Sequence, residues 1–199
     1  MRRLLCAPLV LSALASPAAA QDGPSFDCAA AESSAEKLVC GDPELSALDR
    51  RLADRYAAAL KLAQPGEDTD TLKAMQRGWV KGRDECWTAE DEKTCVTDSY
   101  LTREGALVAG FMLEDPFATA LWTCENNPAN EIVTMFFDTE LPSLRIERGD
   151  RVQTATLARS GSGARYTADF GSEFWEKGNE ASYRGPDPNG EEMTCTKAE

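Results

Sequence analysis

The sequence predicts an α+β protein in two parts, a disulfide-linked helical bundle followed by a small antiparallel β-barrel or sandwich. Three observations carry that expectation. Before Asp115-Pro116, apolar residues recur at spacings of three and four. After it they fall in short runs separated by turn residues. Six of the seven cysteines lie behind an N-terminal stretch with the form of a secretion signal.

That stretch begins with Met1-Arg2-Arg3 and continues as the apolar run 4–14, too short to span a bilayer. Ala18-Ala19-Ala20 supplies small residues for cleavage before Gln21. A lipid-bearing cysteine would follow the apolar core, and Cys6 sits inside it. The expected organisation is therefore a signal peptide over 1–20, a helical domain over 21–114 and a barrel over 115–199, in a periplasmic protein that does not insert in a membrane. Cys28, Cys40, Cys86, Cys95, Cys124 and Cys195 remain in the mature chain. An even set in an oxidising compartment reads as three disulfides, and proximity favours Cys28–Cys40, Cys86–Cys95 and Cys124–Cys195.

Ser33-Ser34-Ala35-Glu36 has capping-box form and opens a short helix ending at Cys40-Gly41. One unbroken helix from Cys28 to Cys40 would hold them roughly 18 Å apart, so the chain must double back before the cap. Asp42-Pro43 then provides an N-cap and a first-turn proline. Leu45, Leu48, Leu52, Tyr56 and Leu60 make one apolar stripe, with Asp49, Arg50, Arg51, Asp54 and Arg55 expected mostly on the other face. Gln64-Pro65-Gly66 and the acidic pair Glu67-Asp68 end that helix. A third is expected over 71–86, with Leu72, Met75, Trp79 and Val80 inward. A fourth follows Cys95, carrying Val96, Tyr100, Leu101 and Leu107. Gln76, Arg77 and Arg83 invite a binding-face reading, but charged helix residues are more often solvated or paired.

In the second half, 121–124, 131–137, 143–147 and 151–157 read as strands, with turns at Asn126-Asn127-Pro128 and Arg148-Gly149-Asp150. A strand over 165–170 alternates Ala168 and Phe170 with Arg165, Thr167 and Asp169. Before it stands the small-residue loop Ser160-Gly161-Ser162-Gly163. After it comes a strand carrying Phe174 and Trp175 to a turn at Lys177-Gly178. Alternation puts Phe174 and Trp175 on opposite faces, so one core buries only one of them. A last strand ends at Cys195.

Several functions are excluded by composition. With no histidine there is no histidine-based serine or cysteine hydrolase. Zinc is disfavoured by the same absence and by the lack of Cys-x-x-Cys spacing, and no phosphate-binding glycine fingerprint is present, so neither metal nor cofactor is expected. The formal charge of −13 becomes −15 once Arg2 and Arg3 leave with the signal. That balance argues against nucleic acid and anionic membranes and for a basic partner.

Two stretches resemble known families. Ser160-Gly161-Ser162-Gly163-Ala164-Arg165-Tyr166, then Trp175-Glu176-Lys177-Gly178 with Ala181 and Cys195, are similar to the signature of the membrane-bound and periplasmic inhibitors of c-type lysozyme. The likeness runs from about residue 122 to 195. It implies an eight-stranded antiparallel barrel whose loop enters the lysozyme cleft, with Ser162 and Lys177 meeting the two catalytic carboxyls. By that resemblance the lysozyme-binding residues are Ser160, Gly161, Ser162, Gly163, Ala164, Arg165, Tyr166, Lys177 and Gly178. The spacer before Lys177 is a residue longer than usual in the family. In the first half, Asp27-Cys28, the run 36–40, Pro43-Glu44-Leu45, Leu48-Asp49-Arg50, the run 76–79 and the run 83–86 resemble the LprI-type helical domain. Some members of that family are linked to lysozyme inhibition.

The function expected is thus a secreted, non-enzymatic inhibitor of a basic glycoside hydrolase. Two other classes compete. One is an envelope module that binds glycan or an envelope protein, with the helices as adaptor. The other is a carboxylate-pair glycosidase, disfavoured because two small halves leave little room for a deep saccharide cleft.

Overall fold

The computed structural model describes residues 23–188 and 190–198; the expected signal segment lies outside them. Four α-helices precede eight strands, and the strands close into an antiparallel barrel in simple sequential order. No helix among the described residues is long and apolar enough to cross a membrane.

The helical half begins with a 3₁₀ turn at Cys28–Ala30, capped by the Asp27 side chain. Helix α1 (Ser34–Gly41) has the capping box its sequence promised, Ser33 Oγ accepting from Glu36 N at 3.0 Å while Glu36 accepts from Ser33 N. Helix α2 (Pro43–Leu62) starts on Asp42, whose carboxylate accepts from Glu44 N and Leu45 N. Helix α3 (Glu67–Asp84) begins four residues earlier than expected. Asp68 stands in its first turn, where a carboxylate favours the helix N-terminus instead of ending the previous helix. Helix α4 (Glu92–Phe111) likewise starts before Cys95, capped by Asp91. Disulfides join Cys28 to Cys40, Cys86 to Cys95 and Cys124 to Cys195.

Val39, Leu45, Leu52, Leu72, Val96, Tyr100 and Leu107 form the helical core. Two residues depart from the amphipathic reading. Asp49 is buried, accepting from Tyr100 Oη at 2.9 Å and from Ser25 N at 2.6 Å. Arg83 is buried too, donating to Tyr100 Oη and to Asp84, with its guanidinium over the Trp79 ring. A tyrosine between a carboxylate and a guanidinium satisfies both ends, so the two charges are tolerated inside.

The barrel comprises β1 (Ala118–Cys124), β2 (Glu131–Phe137), β3 (Ser143–Arg148), β4 (Arg151–Ala158), β5 (Ala164–Ala168), β6 (Glu173–Lys177), β7 (Glu180–Arg184) and β8 (Glu192–Lys197). Its interior is packed by Trp122, Ile132, Phe136, Leu144, Ile146, Tyr166, Phe174 and Met193. Trp122 meets Phe174 edge to face at 5.3 Å, and its Nε1 donates to the buried Thr134 hydroxyl at 2.8 Å. Strand β5 stops at Ala168, short of the expected end. Asp169–Gly171 turn out of the sheet as a 3₁₀ segment, with Phe170 in the left-handed region at φ 56° and 76% exposed.

The two halves are not strung on a free linker. Helix α4 lies on the outer face of the barrel, where Val108 and Ala109 cover Phe137. Gly105 permits the approach: a Cβ there would stand 2.9 Å from Ser143 Cβ and 3.0 Å from Thr156 Cγ2. Arg145 of β3 donates to the carbonyls of Ala109 and Gly110, placing a cation on the C-terminal turn of α4, where the helix dipole favours one. Arg51 of α2 adds pairs at 2.7 Å to Glu104 of α4 and Glu140 of the barrel.

Candidate functional site

The serine loop and the lysine turn meet at one rim of the barrel. Strands β5 and β6 pair Ala164 with Glu176 and Arg165 with Trp175. The next step along that ladder sets Gly163 against Lys177. Between these two strands Asp169–Gly171 leave the sheet as a 3₁₀ segment. Gly163 has φ +67°, and a Cβ on it would overlap the Glu176 carbonyl oxygen and stand 2.6 Å from Lys177 Cγ. Only glycine fits here.

Trp175 ties the two motifs together. Its Nε1 donates to the Ser162 carbonyl at 2.8 Å, and the Lys177 ammonium lies 3.8 Å from its ring centroid. A cation over an indole face is held electrostatically without being neutralised. Ser160 Oγ donates to the Gly163 carbonyl at 2.9 Å, closing the loop on itself. Ser160, Gly161, Ser162, Gly163, Lys177 and Gly178 are all exposed. No ion pair among the described residues involves Lys177, although Glu176 precedes it. Alternation explains this: Glu176 and Lys177 point to opposite faces.

The rest of the signature holds the projection up. Phe174 is fully buried and Trp175 is not, so the pair divides as alternation required. Tyr166 is in the barrel core against Phe136, 5.8 Å between rings, so its contribution is to anchor the trailing end of the loop. Ala164 packs at the edge of the same core. Arg165 is the cross-strand neighbour of Trp175 and lies 3.8 Å from Glu173 Oε2. The part played by Trp175 as a tie between loop and lysine had no signal in sequence beyond its position two residues before Lys177.

Glu176 faces the barrel end. Burial pushes its carboxyl above the usual range, and Lys197 only partly opposes that. Its ionised form is thus disfavoured by folding, and the penalty is present above the folded pKa and absent below the unfolded one. We expect Glu176→Gln to raise the melting temperature at pH 7, with the advantage shrinking as pH falls through the carboxylate range. A gain that persists undiminished at pH 3 would show that the carboxylate's charge is not its cause.

Among the described residues no group of three or more Cys, Asp or Glu is placed to hold a metal ion. What the rim offers is a narrow small-residue ridge with the exposed Ser162 and the Lys177 ammonium, on a strongly acidic chain.

Comparison with known proteins gives both halves a context. Residues 122–191 match the family described as membrane-bound lysozyme-inhibitor of c-type lysozyme. Residues 28–114 match the family described as lysozyme inhibitor LprI. The chain is 33% identical over 180 residues to a protein named lipoprotein LprI from Mycobacterium bovis, covering 87% of this chain and 88% of that one. Proteins of the same name from Mycobacterium tuberculosis match to the same extent.

Proposed function

The chain belongs to the lysozyme-inhibitor family of lipoprotein LprI, and from that premise we propose that it blocks c-type lysozyme by seating the Ser160–Ala164 loop and Lys177 in the enzyme's cleft. Both matched families are named for inhibition and neither for a reaction. The observation that carries the reading is the single ridge made by Ser162 and Lys177, tied through Trp175, with the ammonium exposed and unpaired.

A lysozyme-class hydrolase presents two carboxyl groups flanking the scissile bond. The ridge matches that gap without chemistry of its own. Ser162 donates a hydrogen bond to one carboxyl, and Lys177 sets its ammonium beside the other. A lysine is costly to bury alone, so the pairing selects for a carboxylate-lined site. The acidic remainder of the chain steers a basic enzyme toward the ridge. The relatives are named lipoproteins and the barrel's family membrane-bound, which supports a location in the cell envelope. We place it in the periplasm, released by cleavage before Gln21.

The test is lysis of cell walls by a purified c-type lysozyme, followed with increasing amounts of the full chain. Stoichiometric inhibition is expected, weakening as salt is raised from 0.05 to about 0.5 M, chiefly through a slower association rate. Undiminished lysis at excess inhibitor sinks the proposal and leaves glycan or envelope-protein binding as the alternative.

A further inference from the structure

Away from the rim, a cleft of about 680 Å³ opens between the helices and the barrel. One wall comes from α3 and α4, with Met75, Trp79, Arg103 and Ala106; the other from β4, β5 and the turn that carries Asp169 and Phe170. Its size is that of a small-molecule site, and its lining combines the apolar side chains of Met75, Trp79 and Phe170 with threonines, Arg103 and Asp169.

Three departures from ordinary packing converge there. Met75, at a position expected inward, is 51% exposed because this end of the α3 stripe faces the cleft instead of the helical core. Phe170 holds a left-handed backbone conformation that disfavours a bulky residue, and it is exposed at the opening. Arg103 is the third. It is 7% exposed and makes one hydrogen bond, from Nε to Gln76 Oε1 at 2.9 Å. Its Nη2 is buried with no partner, and no carboxylate among the described residues lies within 4.0 Å of it. Burial lowers its pKa, as expected of a guanidinium short of a counter-ion. Arg83 of α3, buried as well, is by contrast satisfied by Tyr100 Oη and Asp84.

We propose that the cleft binds an amphiphile with a single carboxylate, the head on Arg103 and the apolar body between Met75, Trp79 and Phe170. A carboxylate supplies the charge-assisted bond the guanidinium lacks. The nearby Asp169 restricts the site to one negative group, since a second would face it. The apolar side chains of Met75, Trp79 and Phe170 favour an amphiphile over a purely polar anion.

Decanoate is the probe, titrated calorimetrically into the full chain below its micelle concentration, with decanol and acetate as comparators. Saturable binding of decanoate is expected, with decanol at least about tenfold weaker and acetate undetectable. Arg103→Met should weaken decanoate about tenfold or more and leave decanol unchanged. Replacing an uncompensated buried charge by an apolar residue of similar volume is generally tolerated, so this variant is expected to fold. Phe170→Ser, at an exposed position, should weaken both ligands. Equal affinity for decanoate and decanol overturns the proposal, as does wild-type affinity in Arg103→Met. If that variant does not fold, unchanged decanoate binding by Phe170→Ser decides against it. Neither lysozyme nor the serine loop enters this measurement, so its outcome is independent of the inhibitor reading.

Discussion

Lys177→Ala is expected to weaken binding of a c-type lysozyme by about 2–5 kcal/mol, because in the proposed complex it would leave a carboxylate buried and unpaired. Nothing inside the free protein is lost to match this, since Lys177 pairs with no carboxylate among the described residues and its ammonium rests only on the Trp175 ring. Lys177→Met separates charge from packing: it keeps an apolar stem over the indole and should lose nearly as much. Ser162→Ala removes one hydrogen bond to a charged group and costs about 1.5–3 kcal/mol. The carbonyl of Ser162 still accepts from Trp175, so the loop keeps its shape in that variant. With both residues in one desolvated pocket, the double mutant should be non-additive. Lys61→Ala, which removes the same charge from the exposed end of α2, controls for steering and should change only the association rate. Arg184 is unsuited to that purpose, because its Nε holds the Gly171 carbonyl at 2.9 Å. The measurement is a double-mutant cycle by binding kinetics. A Lys177→Ala variant within about threefold of wild type, under about 1 kcal/mol, rules out lysine insertion.

Removing the Cys124–Cys195 bridge by paired alanine substitution lowers stability by about 4 kcal/mol on the chain-entropy model. The two cysteines are cross-strand partners where β1 meets β8, the seam that closes the barrel, and they are separated by 71 residues in sequence. Opening the bridge therefore frees the ends of a long loop and leaves the seam to three registered pairs. The same substitution at Cys28 and Cys40, separated by 12 residues, should cost about 3 kcal/mol, since the loop term grows only with the logarithm of length. Both are large shares of the roughly 5–15 kcal/mol that holds a domain together. Denaturant unfolding without reductant gives both values. A Cys124/Cys195 variant no less stable than the Cys28/Cys40 one would show that the seam is held by the sheet and core alone.

What sequence reading reached, and where it stopped, follows from the range of the forces involved. Capping by Ser33 and Asp42, the partition of Phe174 from Trp175, and the turns between strands are local. Each depends on a few neighbouring residues whose chemistry permits one backbone conformation. Helical and strand periods report which face of an element is apolar, and so the two-part α+β architecture was legible. A period does not say what covers that face. Met75 followed the stripe and ended in a cleft; Asp49 and Arg83 broke it and ended buried, because Tyr100 from another helix reaches between them. Phe170 fitted the alternation of a strand that stops two residues before it. The serine loop and Lys177 belonged to one resemblance, but only strand pairing set Gly163 against Lys177. Likewise, Gly105 reads in sequence as a weak helix residue. Its purpose is visible only when Ser143 and Thr156 stand within 3 Å of where its side chain would be. Composition and local pattern determined the elements, the disulfide set and the acidic surface. Tertiary packing decided which polar groups were paired inside and which, Lys177 and Arg103 among them, were left without an ionic partner.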